Sequence, residues 1–86
     1  MPVYEVLLSK AARKHLASLP TFINNKIIED ISSLASMPRP AGCKKLKGYK
    51  NAYRKRTGDY RIIYEVEDKV LRILVIAVGH RKDIYE

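Results

Sequence analysis

A chain of 86 residues with 47% hydrophobic content and only 4 Gly and 4 Pro builds one small core, which excludes both a multidomain enzyme and a disordered polyelectrolyte. A domain of this size buries only about 60–65% of its unfolded surface, so it has little room for a deep enclosed substrate pocket and any site is expected at the surface. Seventeen Lys and Arg against nine Asp and Glu leave a net charge of +8, which points to a polyanionic partner: nucleic acid, an acidic protein or an anionic membrane.

The membrane is the weakest of these. The longest apolar run, residues 70–78, is interrupted by Arg72, whereas a spanning helix needs roughly 20 apolar residues. The opening MPVYEVLLS has no basic stretch ahead of its apolar residues and carries Glu5, so it does not read as a secretory signal and a cytoplasmic location is expected. The single cysteine, Cys43, has no partner for a disulfide, a zinc site or a CxxC pair, and is expected to be an ordinary loop thiol.

No internal repeat or linker divides the chain, so residues 1–86 are read as one domain. Residues 2–8 carry Val3, Tyr4, Val6, Leu7 and Leu8 and predict a short first strand. Ser9 is a good N-cap for a helix in which Ala12, Leu16 and Leu19 fall at helical spacing, ending near Pro20. Thr21 is expected to cap a second helix, with Ile23, Ile27, Ile31 and Leu34 as its buried stripe. The segment MPRPAGC, residues 37–43, has two prolines and a glycine and reads as a loop, which is taken to continue through Lys44, Lys45 and Lys47.

From Tyr53 onward β-branched and aromatic residues take over in three runs, AYRKRT, DYRIIYEVE and KVLRILVIAVGHR. A Gly58-Asp59 turn of type I′ or II′ pairs Thr57 with Tyr60 and Arg56 with Arg61, and Glu67-Asp68-Lys69 supplies the next turn. The expected fold is therefore α+β: a short N-terminal strand, a helical hairpin, then a three-stranded antiparallel sheet with both helices on one face. Tyr60, Ile62 and Tyr64 are expected under the helices, with Tyr53 at the margin, and the other face is left to a ligand.

Charge is concentrated on that sheet. Residues 44–61 hold eight bases, Lys44, Lys45, Lys47, Lys50, Arg54, Lys55, Arg56 and Arg61, against Asp59 alone, while the rest of the chain is nearly balanced. Side chains alternate across a strand, so Arg54 and Arg56 share a face and the hairpin register sets Arg61 opposite Arg56 on it. Like charges directly opposed are destabilising unless an anion lies between them, which makes the trio a candidate site for RNA phosphate or an acidic peptide. The last strand ends in Gly79-His80-Arg81-Lys82-Asp83-Ile84-Tyr85, which adds a cation, a titrating imidazole and a phenol beside the hairpin. His15, on the first helix, has no evident partner in the sequence.

Leu46-Lys47-Gly48 before Tyr49, Tyr53-Arg54-Lys55-Arg56, the run GDYRIIYEV at residues 58–66 and the run VGHRKDIY at residues 78–85 together resemble the RelE family, the toxin half of type II toxin–antitoxin pairs. The resemblance covers nearly the whole chain. It implies a metal-independent, cofactor-free endoribonuclease that cuts messenger RNA in the ribosomal A site and is silenced by an acidic antitoxin. It also implies site roles for Arg54, Arg56, Arg61, Arg81 and Tyr85: a ribose 2′-oxygen attacks the adjacent phosphorus, Arg56 and Arg61 meet the developing charge, and Arg54 holds the backbone. Lys44, Lys45, Lys47, Lys50, Lys55 and Lys82 would add to RNA binding. Arginine does not accept a proton near neutral pH, so the base is either Tyr85 or His80. Two other readings stand beside it: a ParE-like inhibitor of DNA gyrase, which keeps the fold although such proteins as a rule lack a basic and tyrosine constellation of this kind, and a non-catalytic RNA-binding module whose arginines only grip phosphate.

Overall fold

The computed structural model describes residues 3–80 and 82. In chain order these form β1 (Glu5–Leu8), α1 (Lys10–Ala17), α2 (Thr21–Ser33), β2 (Lys44–Lys45), β3 (Ala52–Thr57), β4 (Tyr60–Glu67), a 3₁₀ turn (Asp68–Val70) and β5 (Arg72–His80). The sheet has five strands in the order β1-β5-β4-β3-β2. The α+β class is as expected, and two details differ. Lys44 and Lys45, read as loop, pair with Arg54 and Tyr53 as a two-residue edge strand, and the N-terminal strand joins the sheet parallel to β5.

Local chemistry accounts for the helices. The Ser9 hydroxyl accepts from the Ala12 N–H and so caps α1 as predicted. Thr21 does not cap α2. Pro20 occupies that position without a side-chain bond, and the corner is held instead by Asn24 Nδ2 donating to the Leu16 carbonyl at 2.7 Å.

Both helices lie over one sheet face. Ala12 and Leu16 of α1, with Ile27, Ile31 and Leu34 at α2, close over Ile62, Tyr64 and Val66 of β4 and Ile73, Val75 and Val78 of β5. Each large side chain in that layer is worth about 1.5–3 kcal/mol of burial, so this layer supplies most of the stability. Tyr53 stacks on Tyr64 with ring centroids 5.9 Å apart and borders the core, as expected. A smaller cluster of Leu46, Ala52 and Ile63, flanked by Ile76 and Ala77, sits on the opposite face.

The proline-rich loop is fastened at one end of the helix-covered layer. The Tyr64 hydroxyl donates to the Pro38 carbonyl at 2.7 Å, and burial pushes that phenol well above its ordinary pKa. Arg39 donates to both Asp68 carboxylate oxygens, at 2.7 and 3.2 Å, and to the Tyr53 hydroxyl at 2.9 Å. Tyr4 donates to Asp68 at 2.7 Å. These donors, Arg39 first, hold the Asp68 carboxyl below the usual carboxylate range, while the same contact raises Tyr4.

Candidate nucleic-acid interface

The β3–β4 turn sets the geometry of the site. Gly58 has φ +60° and Asp59 does not share the left-handed region, which selects the type II′ turn from the two alternatives. A two-residue loop fixes the register, and Arg56 faces Arg61 while Thr57 faces Tyr60, as the sequence predicts. Directly opposed residues share a face. Thr57 donates to Asp30 of α2 at 2.8 Å and Ile62 is in the helix-covered core, so odd-numbered β3 residues point toward the helices and Arg54 and Arg56 point away.

The open face thus carries Arg54, Arg56 and Arg61, with Lys44 beside Arg54 across the β2–β3 pair. Arg56 is exposed and Arg61 half-buried, and the two flank a recess of about 80 Å³ with Gly58, Asp59 and Tyr60. Arg54 is only 7% exposed and forms the floor of a depression of about 250 Å³ walled by Lys44, Lys45, Leu46 and Lys47. Gly79 pairs with Arg61 on the β5 side and adds no side chain to that face. The open face thus has two shallow recesses lined by basic side chains, both too open to enclose a small molecule.

Several predicted members lie elsewhere. Lys55 pairs with the core residue Ile62 and so starts from the helix-covered face. Lys50 borders Asn51, Val66, Glu67, Asp68 and Lys69 at the far end of the sheet, about 20 Å along β3 from Arg56 at a strand's rise per residue. Lys45 pairs with Tyr53 and leaves its strand toward the helices, although its side chain reaches the rim of the Arg54 depression. Lys82 is exposed, and its N–H donates to His80 Nδ1 at 3.2 Å. Arg81 and Tyr85 lie outside the described residues.

His80 is the main correction. It pairs with Tyr60, and its ring meets the Tyr60 ring edge-on with centroids 5.5 Å apart. Tyr60 packs against the helix-covered core, so the imidazole stands behind the sheet and not beside the arginines. The cause is a bulge: Ile63 pairs with Ala77 but Tyr64 pairs with Val75, which leaves Ile76 as an extra residue. In β5 the inward positions therefore change from Ile73 and Val75 to Val78, and His80 follows Val78. His15 also has a role that the sequence did not reveal: its Nδ1 accepts from the Val78 N–H at 3.1 Å.

Among the described residues no helix is long and apolar enough to cross a membrane. The family model described as the ParE toxin of the type II toxin–antitoxin system parDE matches residues 6–85. Toxin RelE3 of Methanocaldococcus jannaschii is 38% identical over 86 residues, spanning 95% of this chain and 96% of that protein. A chain in the archaeal RelE–RelB complex from Pyrococcus horikoshii OT3 is 32% identical with a TM-score of 0.82, covering 95% of this chain and 99% of that one. A chain in the toxin–antitoxin complex RelBE2 of Mycobacterium tuberculosis is 27% identical with a TM-score of 0.83, covering 96% and 97%.

Proposed function

The chain belongs to the RelE/ParE superfamily, the toxins of type II toxin–antitoxin systems, and from that premise we propose that it is a cytoplasmic endoribonuclease that cuts messenger RNA in the ribosomal A site. The observation that carries this reading is the direct opposition of Arg56 and Arg61, with Arg54 on the same uncovered face. A folded sheet holds like charges in register at a cost, and a phosphodiester lying between them removes it.

In this reaction the 2′-oxygen of a ribose forms a bond to the neighbouring phosphorus as the bond to the next nucleotide's 5′-oxygen breaks. The products are a 2′,3′-cyclic phosphate and a 5′-hydroxyl. Arg56 and Arg61 donate to the non-bridging oxygens, whose charge grows in the transition state, and the rigid hairpin holds both donors in place beforehand. Arg54 and Lys44 grip the flanking backbone. The 2′-hydroxyl proton needs an acceptor that no guanidinium supplies. The placement of His80 behind the sheet favours Tyr85 for that role, with Arg81 binding phosphate or supplying the proton to the leaving oxygen.

An acidic antitoxin is the expected partner in the resting state, since the RelE chains similar to this one are found in complexes with RelB. Expression of the wild-type chain without an antitoxin should arrest growth and cut messenger RNA on programmed ribosomes, and Arg61→Ala should relieve the arrest and slow cleavage by about 10²–10³-fold while keeping the circular dichroism spectrum of the fold. Full toxicity in Arg61→Ala sinks the proposal. The ParE description of the matching family favours a second reading, gyrase inhibition. That reading expects double-strand DNA breaks with messenger RNA intact, so the same cultures discriminate the two.

A further inference from the structure

The outer edge of β5 changes partner halfway along its length. From Arg72 to Val75 it pairs with β1. Beyond Val75 no strand among the described residues is beside it on that side, and two side chains close the edge instead. The Ser9 hydroxyl donates to the Ile76 carbonyl at 2.8 Å, and His15 Nδ1 accepts from the Val78 N–H at 3.1 Å. In the second contact the ring nitrogen is the acceptor, so Nδ1 carries no proton there.

Val78 directly precedes Gly79, the cross-strand neighbour of Arg61. We propose that His15 is a positioning residue for the arginine site: its unprotonated Nδ1 clamps the β5 edge at Val78 and thereby fixes the strand against which Arg61 is aligned. This rests on the nuclease reading for its activity readout alone, because the clamp itself is visible at the Val78 amide.

The titratable groups that share the adjoining cavity of about 240 Å³ with His15 are Tyr60 of β4 and His80 of β5, with Ser18, Leu19, Val78 and Gly79 completing its wall. Lys10, Arg13 and Lys14 of α1 are exposed and are not among the residues lining that cavity.

The test compares His15→Ala and His15→Asn with wild type. The Asn Oδ1, bonded to Cγ as the imidazole Nδ1 is, accepts the same hydrogen bond and does not titrate. Amide exchange at Val78 should be roughly tenfold faster in His15→Ala and near wild type in His15→Asn, the scale of one lost backbone partner. Messenger cleavage should follow the same order. If His15→Ala does not fold, His15→Phe, which fills the space but offers no acceptor, takes its place beside His15→Asn. Val78 exchange unchanged in His15→Ala, or equal in His15→Phe and His15→Asn, overturns the proposal. Altered Val78 exchange in a chain that cuts no RNA would keep the clamp and sink the nuclease reading.

Discussion

The two faces of this sheet are built on opposite principles. The helix-covered face is closed over an apolar centre, with Ile62, Tyr64, Ile73 and Val75 fully buried. The open face holds Arg54, Arg56 and Arg61 beside a smaller cluster of Leu46, Ala52 and Ile63, flanked by Ile76 and Ala77. One face holds the fold together and the other gathers like charges in register over a smaller apolar cluster. That separation lets a domain this small carry a site without losing its core.

The largest effects should fall on adjacent residues and in opposite measurements. Arg61→Ala removes a preorganised donor to the phosphate and should slow messenger cleavage about 10²–10³-fold, with the unfolding midpoint little changed. Ile62→Ala, one residue on and on the other face, should cost about 2–5 kcal/mol in denaturant unfolding. A large stability loss in Arg61→Ala would break the comparison, because it would make the open face structural.

Next in size is Tyr64→Phe, which removes only the hydroxyl that donates to Pro38. The Pro38 carbonyl then loses that partner at a part-buried position, and about 1–2 kcal/mol of stability should go, read as a lower melting temperature with cleavage intact. Smaller again, and opposite in sign, is Arg56→Thr. It relieves the cross-strand repulsion with Arg61 and places a good strand former in β3. Stability should rise by up to ~1 kcal/mol at low salt, the gain should shrink as salt is added, and cleavage should be lost. A destabilised Arg56→Thr would show that the guanidinium has a structural partner and would weaken the division between faces.

How much of this was legible follows from what each residue depends on. Arg56 opposite Arg61 was readable because a two-residue turn fixes register locally, and the α2 stripe was readable because helical spacing is local too. His80 was not, since its face depends on a bulge that shifts pairing between Ile63 and Tyr64, and an unbroken alternation from Ile73 would have set it with the arginines. Lys55 and Lys50 were assigned from a count of charges, which carries no information about faces or distance. His15 and Arg39 were missed because their partners lie 63 and 29 positions away, and no local pattern encodes such a contact.

The smallest effect concerns the rim where the proline-rich loop joins the covered face. Arg39 and Tyr4 donate to Asp68 and depress its pKa in the folded state, so folding favours the ionised form. The contribution is complete above the unfolded carboxylate range, near pH ~3.9, and is lost as pH falls through the lower folded value. Asp68→Asn keeps acceptor capacity but not the charge. It should therefore be less stable than wild type at neutral pH, and the gap between their denaturation midpoints should close on acidification toward about pH 2. The group is exposed, so salt should narrow the gap as well. A gap that stayed constant with pH would mean that Asp68 acts through shape alone, and the loop would then be held by Tyr64 and Pro38 without electrostatic help.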